Sequence, residues 1–197
     1  MLKDVFHRIL FAGLLTVLLT TTANAFDGIR RGFVVGAGVG LTANAGWSAD
    51  FSIIPDQSDN TAGFGGAFLL GYAWDNQNMI VLEANGTRYS TDIGTREDVS
   101  VVQGFVGPAW YHYFGPTGTS MYTVVGAGAY IFQWEHDALG FSDENDPGPG
   151  VVVGGGYEFT DQLQVGISVG AGRTEESEAG TRFDHTHINV MLSYVVY

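Results

Sequence analysis

A period-two alternation between large apolar residues and small residues constrains this chain more than any other feature of its sequence. The segment at 163–172 reads LQVGISVGAG, with an apolar residue at each odd position and Gln, Ser or Gly at each even position. The segments at 33–42 and 64–74 repeat the pattern. Because successive side chains of a β-strand point to opposite faces, this period predicts strands with one bulky apolar face and one small face.

The same test along the whole chain predicts eight strands. They span residues 32–43, 62–74, 78–89, 99–114, 120–135, 149–159, 162–173 and 184–197. Most are long enough to cross a bilayer as tilted strands, which takes ~9 to 11 residues. The connectors alternate, with short turns after the second, fourth and sixth strands and longer polar loops after the others, at 44–61, 90–98, 136–148 and 174–183. This sorting of loops by length is typical of a membrane barrel and gives no advantage to a soluble sandwich.

The composition of the two strand faces favours the same architecture. The small face is mostly Gly, Ala, Ser, Gln and Asn, which cannot fill the core of a sandwich, whereas a barrel in lipid turns its apolar face outward. Aromatic residues near the strand ends are expected to form interfacial girdles. They are Tyr72, Trp74, Trp110, Tyr113, Phe114, Tyr122, Tyr157 and Phe159 beside the short turns, and Tyr130, Phe132 and Trp134 toward the long loops. The sequence therefore predicts an all-β, eight-stranded, antiparallel up-and-down transmembrane β-barrel.

Residues 1–25 have the features of a cleavable export signal. Lys3 and Arg8 precede an apolar run at 9–19, and Ala23-Asn24-Ala25 is a small-x-small cleavage site. We favour cleavage over a membrane anchor because the apolar run is shorter than the ~20 residues that a spanning helix needs. The expected mature domain is 26–197.

The charge and cysteine content narrow the possible partners. The chain has 21 acids and 8 bases; the signal holds one of the acids and two of the bases, which leaves 20 acids, six bases and a formal charge of −14 in the mature domain. This balance argues against nucleic acid as a partner, because phosphate binding needs a basic surface. The chain has no cysteine, so an exported fold would hold without disulfides, and nothing in the sequence indicates a cofactor.

With these features the chain resembles the eight-stranded outer-membrane barrels of Gram-negative bacteria, the small porin-family barrels of the OmpA transmembrane domain, OmpX and opacity-protein type. The resemblance rests on the export signal, the strand count, the sorted loops and a last strand, INVMLSYVVY at 188–197, that ends on an aromatic residue. It implies an outer-membrane location, contact with lipid and lipopolysaccharide, and recognition of the C-terminal strand by the barrel-assembly machinery.

Two irregularities accompany this prediction. Tyr197 is one residue out of phase with the outward set that includes Ile188 and Leu192, so either the last strand bulges or Tyr197 turns inward. The fourth strand changes its preferred phase near Gly107-Pro108, and since proline cannot donate to a ladder we expect a bulge or local break there.

The interior of such a barrel is just wide enough to be filled by side chains, so free diffusion of solutes is not expected. No predicted strand sends an arginine inward, so we do not expect an Arg–carboxylate network in the lumen. The many inner glycines predict residual space for water or a thin ligand.

Two histidines raise the question of enzymatic activity. His185 and His187 have the inner parity of the last strand, close to Asp184, and Ser168 has the inner parity of the neighbouring strand. A serine, a histidine and an acid are the groups used in acyl transfer, and lipid A deacylases are barrels of this size. The deacylase His-x-Ser-Asn run is here His185-Thr-His187-Ile, without serine, so we prefer hydrogen-bonded lumen histidines.

The acids concentrate in the long-loop half of the chain, which holds 15 of the 20 in the mature domain. A solvated, soluble loop surface is the preferred explanation. The alternative is a site for a divalent cation, since Ca²⁺ and Mg²⁺ take carboxylate oxygens, with Asp143, Glu144 and Asp146 as weak candidates that lack EF-hand spacing.

The sequence thus predicts a non-enzymatic integral outer-membrane barrel with acidic extracellular loops, acting in envelope integrity or surface interaction. The first alternative is an OmpW-like barrel that binds or passes a small apolar molecule. A lipid A-modifying outer-membrane enzyme and a soluble periplasmic barrel are the others.

Overall fold

The computed structural model describes residues 28–50, 57–92, 98–136, 141–144, 146–176 and 181–197, and the predicted signal at 1–25 lies outside them. The described strands are β1 (Gly32–Asp50), β2 (Gln57–Ala73), β3 (Asn78–Asp92), β4 (Asp98–Tyr113), β5 (Ser120–His136), β6 (Phe141–Glu144), β7 (Gly148–Glu158), β8 (Leu163–Glu176) and β9 (Thr181–Val196). Within this part of the chain, no helix is long and apolar enough to cross a membrane.

Eight of these strands form a closed barrel, as predicted. Each pairs antiparallel with its neighbours in chain order, and β1 pairs with β9 to close the sheet. The short β6 pairs only with the far end of β5. The connectors at 74–77, 114–119 and 159–162 lie together at one end, which we call the short-turn end, and the opposite end is the loop end.

The strands continue further toward the loop end than the alternation predicts. Much of the loop predicted at 44–61 is strand, because β1 runs to Asp50 and β2 begins at Gln57, and β8 and β9 also extend into the loop predicted at 174–183. A backbone ladder does not depend on side-chain polarity, so it persists where the side chains have become polar and the alternation has ended.

Of the two alternatives predicted in the fourth strand, the local break at Gly107-Pro108 is confirmed and the bulge is absent. β4 pairs with β3 in one register from His112 to Asp98. Its ladder to β5 lacks pairs only at Gly107 and Pro108 and resumes in the same register, which fits the missing N–H of proline. The register shift lies instead in β1, where one extra residue between Thr42 and Ala45 is accommodated against both neighbouring strands.

The predicted orientation of the two faces is confirmed for most of the barrel. Large apolar residues point outward, with Phe33 81% and Phe64 76% exposed. Six aromatics assigned to the girdles are exposed on the outer face or in the adjoining turns: Tyr72, Trp74, Trp110, Phe114, Tyr157 and Phe159. Four others point into the lumen, contrary to prediction: Tyr113, Tyr122, Tyr130 and Phe132. The side chain of Trp134 lies outside the described part.

Inner glycines explain why aromatic rings fit inside so narrow a barrel. A Cβ added to Gly166 would overlap the Tyr122 hydroxyl, and one added to Gly172 would overlap the Tyr130 ring. The glycine face of β8 therefore leaves space that is occupied by rings from β5, which is separated from β8 only by β7. The apparent phase change of β4 has the same origin, since Phe105 and Tyr111 are large residues on the inner face.

Tyr197 turns inward, which is the second of the two predicted alternatives. β9 pairs in a single register with β8 from Thr181 to Tyr194 and with β1 from Ile188 to Val196, so it contains no bulge near its end. Tyr197 packs against the inner cluster at the short-turn end, and its hydroxyl donates to the Tyr113 hydroxyl at 3.2 Å.

Candidate functional site

Arg30 closes the short-turn end of the lumen. It precedes β1 and is only 1% exposed, and its guanidinium carbon lies 3.8 Å from the centroid of the Tyr113 ring. The guanidinium forms an ion pair with Glu158 and donates to the carbonyl oxygens of Gly115 at 3.2 Å and Pro116 at 3.1 Å. The expectation that the lumen has no Arg–carboxylate pair is therefore wrong. The arginine comes from the segment before the first strand, where strand parity gives no information.

The segment around Arg30 is also hydrogen-bonded to two short turns, at 74–77 and 114–119. The Arg30 backbone N–H donates to Asn76 Oδ1 at 2.8 Å, its guanidinium donates to the Asn76 carbonyl, and the Thr117 hydroxyl donates to the Gly28 carbonyl at 2.6 Å. We call Arg30, Glu158 and these turn contacts the N-terminal latch. It connects the start of the barrel to turns that lie 46 and more residues further along the chain.

The turn that receives the latch is ordered by Asp75. Its Oδ1 accepts backbone N–H groups of Gln77 and Asn78, each at 2.7 Å, and the Asn78 side-chain amide donates to both carboxylate oxygens at 3.0 Å. This is the usual role of aspartate at the start of a tight turn. The Asn78 amide, followed by the Gln77 N–H, lowers the pKa of the Asp75 carboxyl.

A layer of tyrosines lies above the latch. The ring centroids of Tyr113 and Tyr122 are 5.3 Å apart, and those of Tyr111 and Tyr122 are 5.7 Å apart. Tyr111 donates to Glu83 Oε2 at 2.8 Å, and Tyr113 donates to Gln164 Oε1 at the same distance. Glu83 and Gln164 of the inner face thus accept hydrogen bonds from tyrosine hydroxyls of another strand, β4.

A cavity of about 30 Å³ remains next to this layer. Asn85 lines it, and in the described part of the chain Asn85 Oδ1 is buried without a hydrogen-bond partner. A cavity of this size that exposes an unpaired amide oxygen can hold water, but it is far smaller than the ~300 Å³ of a small-molecule pocket. The predicted residual space is therefore present and has the dimensions of water.

The predicted histidines lie in the lumen, in a third layer toward the loop end. The Tyr130 hydroxyl and His187 Nδ1 are 2.6 Å apart, and the Thr174 hydroxyl and His185 Nε2 are 2.7 Å apart. The Tyr130 and His185 rings are stacked, with centroids 5.2 Å apart and 7° between their planes. Both imidazoles are buried. A Cβ added to Gly170 would overlap the His187 ring, so the inner glycines of β8 also make room for this layer.

Comparison with known proteins defines the family. Residues 12–195 match the family model described as "Outer membrane protein beta-barrel domain". The chain belongs to this family. The protein is accordingly an integral protein of the bacterial outer membrane. In such barrels the short turns face the periplasm and the longer loops face outward. This location excludes the soluble periplasmic barrel.

Solved outer-membrane barrels share the fold. Ail, the attachment invasion locus protein of Yersinia pestis, is 12% identical, with 84% of this chain and 99% of that chain covered and a TM-score of 0.52. Neisserial surface protein A (NspA) is 17% identical, with 83% and 96% covered and a TM-score of 0.51. At these identities the likeness concerns the fold alone. The sequence matches no curated protein significantly.

The outer-membrane barrel does not bring the candidate acyl-transfer residues together. Asp184 lies on the outer face, where Arg173 Nε donates to its Oδ1 at 2.7 Å, whereas His185 is inside. Ser168 stands opposite Asn189, and His187 stands opposite Gly170. Among the described residues, no serine, histidine and acid form a hydrogen-bonded series of the kind that acyl transfer needs.

The candidate cation ligands are described only in part. Asp146 is exposed and donates its backbone N–H to the Glu175 carbonyl at 3.0 Å, whereas the side chains of Asp143 and Glu144 lie outside the described part. Within the described residues, no group of three or more His, Cys, Asp or Glu side chains could hold a metal. The cation site remains a prediction.

Proposed function

We propose that this outer-membrane barrel is non-enzymatic and non-conducting, and that its acidic extracellular end acts in surface interaction or envelope integrity. The observation that carries the proposal is the lumen, which is closed in series by the N-terminal latch, the tyrosine layer and the histidine layer. An eight-stranded barrel has no width to spare around such layers. With the interior filled, the surfaces left for interaction are the outer wall and the extracellular end.

The composition of the extracellular end supports this role. Strands β8 and β9 extend toward it with exposed, outward-pointing charges, among them Glu175 and Asp184. The mature domain has a large excess of acids, most of them in this half of the chain. Such a surface repels anions and attracts cationic partners and divalent ions over several ångströms.

The first experiment tests closure. The purified protein is inserted into planar phosphatidylcholine bilayers, with a general porin as the positive control. We expect no stepwise conductance at neutral pH. A reproducible open channel would refute the non-conducting barrel.

The second experiment separates the two roles at the cell surface. A deletion strain is complemented with wild type or with a variant in which Asp146, Glu175 and Asp184 are replaced by their amides. If the acidic end makes surface contacts, adhesion to cationic surfaces falls in this variant while resistance to detergent stays at the wild-type level. If the role is envelope integrity, the deletion strain loses detergent resistance and the variant restores it. Wild-type behaviour of the deletion strain in both assays would contradict the proposal.

The proposed partners follow from the family and the surface. We propose contact of the outer wall with outer-membrane lipid and lipopolysaccharide, recognition of β9 by the barrel-assembly machinery, and divalent cations at the acidic loops. Lipid A modification is tested by replacing His185 and His187 with Asn, which we expect to leave the acylation pattern of lipid A unchanged. A change in that pattern would favour the enzyme.

One observation favours the OmpW-like alternative as a second candidate. The ladder between β7 and β8 is interrupted at residues 147–149, which include Pro147 and Pro149, and resumes with a shifted register at Gly150. A lateral opening would form most easily where these hydrogen bonds are missing. The inner cavity does not reach this place, since its described lining residues lie closer to the short-turn end. Uptake of a small aromatic hydrocarbon by cells that carry the protein, lost when a cross-link closes this seam, would support this candidate.

A further inference from the structure

Glu83 is a buried carboxylate on the inner face of β3, and it is only 5% exposed. Asn85 Nδ2 donates to its Oε1 at 2.6 Å, and the Tyr111 hydroxyl donates to its Oε2 at 2.8 Å. In the described part of the chain no cationic side chain pairs with it, and the buried Arg30 pairs with Glu158 instead. Glu83 therefore differs from Glu158, whose charge is balanced by an arginine.

The contacts of Glu83 limit the ways in which its charge can be balanced. A protonated carboxyl group would need an acceptor for its O–H, but both oxygens of Glu83 already accept a hydrogen bond. A charge left unbalanced inside the barrel is strongly disfavoured, and water alone does not neutralise it. A cation beside the carboxylate would balance the charge and leave both hydrogen bonds in place.

The space for a cation lies next to the carboxylate. Glu83 and Asn85 both line the cavity of about 30 Å³ beside the tyrosine layer, and Asn85 Oδ1 is buried without a hydrogen-bond partner among the described residues. Tyr122, Ser168 and Ser193, which carry hydroxyl groups, line the same cavity. Carboxylate and carbonyl oxygens are the groups that replace the hydration shell of a hard cation. The volume corresponds to roughly two water-sized spheres, which suits a cation that has lost most of its water.

We propose that this cavity binds an alkali-metal cation, Na⁺ or K⁺, with the Glu83 carboxylate and Asn85 Oδ1 among its ligands. The single carboxylate sets the charge of the ion, because a divalent cation would leave a second positive charge buried. The tyrosine layer lies on one side of the cavity and the histidine layer on the other, so the cation enters as the barrel folds. The bound ion stabilises the folded barrel and does not pass through the lumen.

Equilibrium unfolding in different salts tests the proposal. The protein is refolded into phosphatidylcholine vesicles in NaCl, KCl or choline chloride at equal ionic strength, and its unfolding in urea is followed by tryptophan fluorescence. Choline is too large for a cavity of about 30 Å³. Glu83→Gln removes the charge and keeps the shape of the side chain, and Asn85→Leu removes the amide oxygen at similar volume. Heat-modifiable gel mobility verifies that each variant is folded.

Glu158→Gln is the matched control, because it removes a buried carboxylate whose charge Arg30 already balances. It should be less stable than the wild type in all three salts. The difference between the salts should remain as large as in the wild type, because the cavity and Glu83 are unchanged.

We expect the folding equilibrium constant of the wild type to be about tenfold larger in NaCl or KCl than in choline chloride, the equivalent of ~1.4 kcal/mol, when the salt is at about ten times the dissociation constant of the site. The salt with the larger effect identifies the ion. Glu83→Gln and Asn85→Leu should each lose this difference. Equal constants for the wild type in the three salts would overturn the proposal, and that result requires no variant. Retention of the full difference by either folded variant would also overturn it.

Discussion

Replacement of Arg30 by alanine tests whether the N-terminal latch stabilises the barrel. The substitution removes a buried cation that pairs with Glu158, lies over the Tyr113 ring and donates to several turn carbonyls. It leaves Glu158, also 1% exposed, without its positive partner. A carboxylate in that position must remain charged without a counterion, take up a proton, or draw water into the end of the lumen.

The expected loss follows from these contacts. Removing one member of a buried ion pair costs about 3 to 5 kcal/mol, mainly through the charge that is left behind. Glu158→Gln should cost less, about 1 to 3 kcal/mol, because Arg30 keeps its carbonyl acceptors and the ring of Tyr113. The double variant removes both charges, so its loss should be smaller than the sum of the two single losses by about 1 to 3 kcal/mol.

Equilibrium unfolding in urea measures these differences, with the protein refolded into phosphatidylcholine vesicles and followed by tryptophan fluorescence. Arg31→Ala is the matched control, because Arg31 is the adjacent residue and is exposed. It should change the free energy of unfolding by less than about 0.5 kcal/mol. An equally small effect of Arg30→Ala, or strictly additive single variants, would refute the reasoning.

Three further predictions concern the lumen and the turns. Gly172→Ala should destabilise the barrel by about 1 to 3 kcal/mol, since its Cβ would overlap the Tyr130 ring, whereas Gly66→Ala, on the exposed outer face, should be close to neutral in the same urea assay. Tyr130→Phe should cost about 1 to 3 kcal/mol, because it removes the hydroxyl beside the buried His187. Because folding lowers the pKa of Asp75, its stabilising contribution is complete above a pH of about 4 and lost below it, so Asp75→Asn should flatten the acid limb of the stability profile.

Control variants and specific outcomes would contradict these three predictions. Tyr157→Phe removes an exposed hydroxyl from the outer face, and a loss equal to that of Tyr130→Phe would assign the effect to tyrosine removal in general. Equal losses for the two glycine variants would mean that backbone entropy, and not contact with the ring, determines the cost. An unchanged acid limb in Asp75→Asn would mean that other carboxylates dominate acid unfolding.

The sequence was sufficient to predict the barrel because membrane and lumen impose opposite demands on alternate residues. In β8 each outward position from 163 to 171 is apolar and each inward position is small or polar, and the structure follows that alternation without exception. The alternation ends where the lipid ends. The strand extensions at the loop end, such as Gly46–Asp50 of β1, were therefore predicted as loop although their backbone remains paired.

The candidate site was predictable only in part. The parity of the last strand placed His185 and His187 in the lumen, but it could not show that Tyr130 on β5 contacts both rings. Arg30 was missed because it precedes the first strand. Glu158 could have indicated it. Glu158 has the inner parity of its strand, no predicted strand supplies an inner arginine, and a buried carboxylate requires a positive partner from elsewhere in the chain.

The four aromatic residues predicted on the outer face point into the lumen, where glycines of other strands make room for their rings. The inner perimeter of an eight-stranded barrel is fixed, so a large ring on one strand can lie inside only where another strand provides glycine. Tyr130 lies against Gly150 and Gly172, and Tyr122 against Gly156 and Gly166. The glycine face is thus complementary to the aromatic residues of β5, and closure of the lumen depends on the two together. If a β8 glycine is replaced by a larger residue, the loss of stability should therefore be reduced when the β5 aromatic residue that it contacts is replaced by a smaller one. A smaller residue on the outer wall should not reduce that loss.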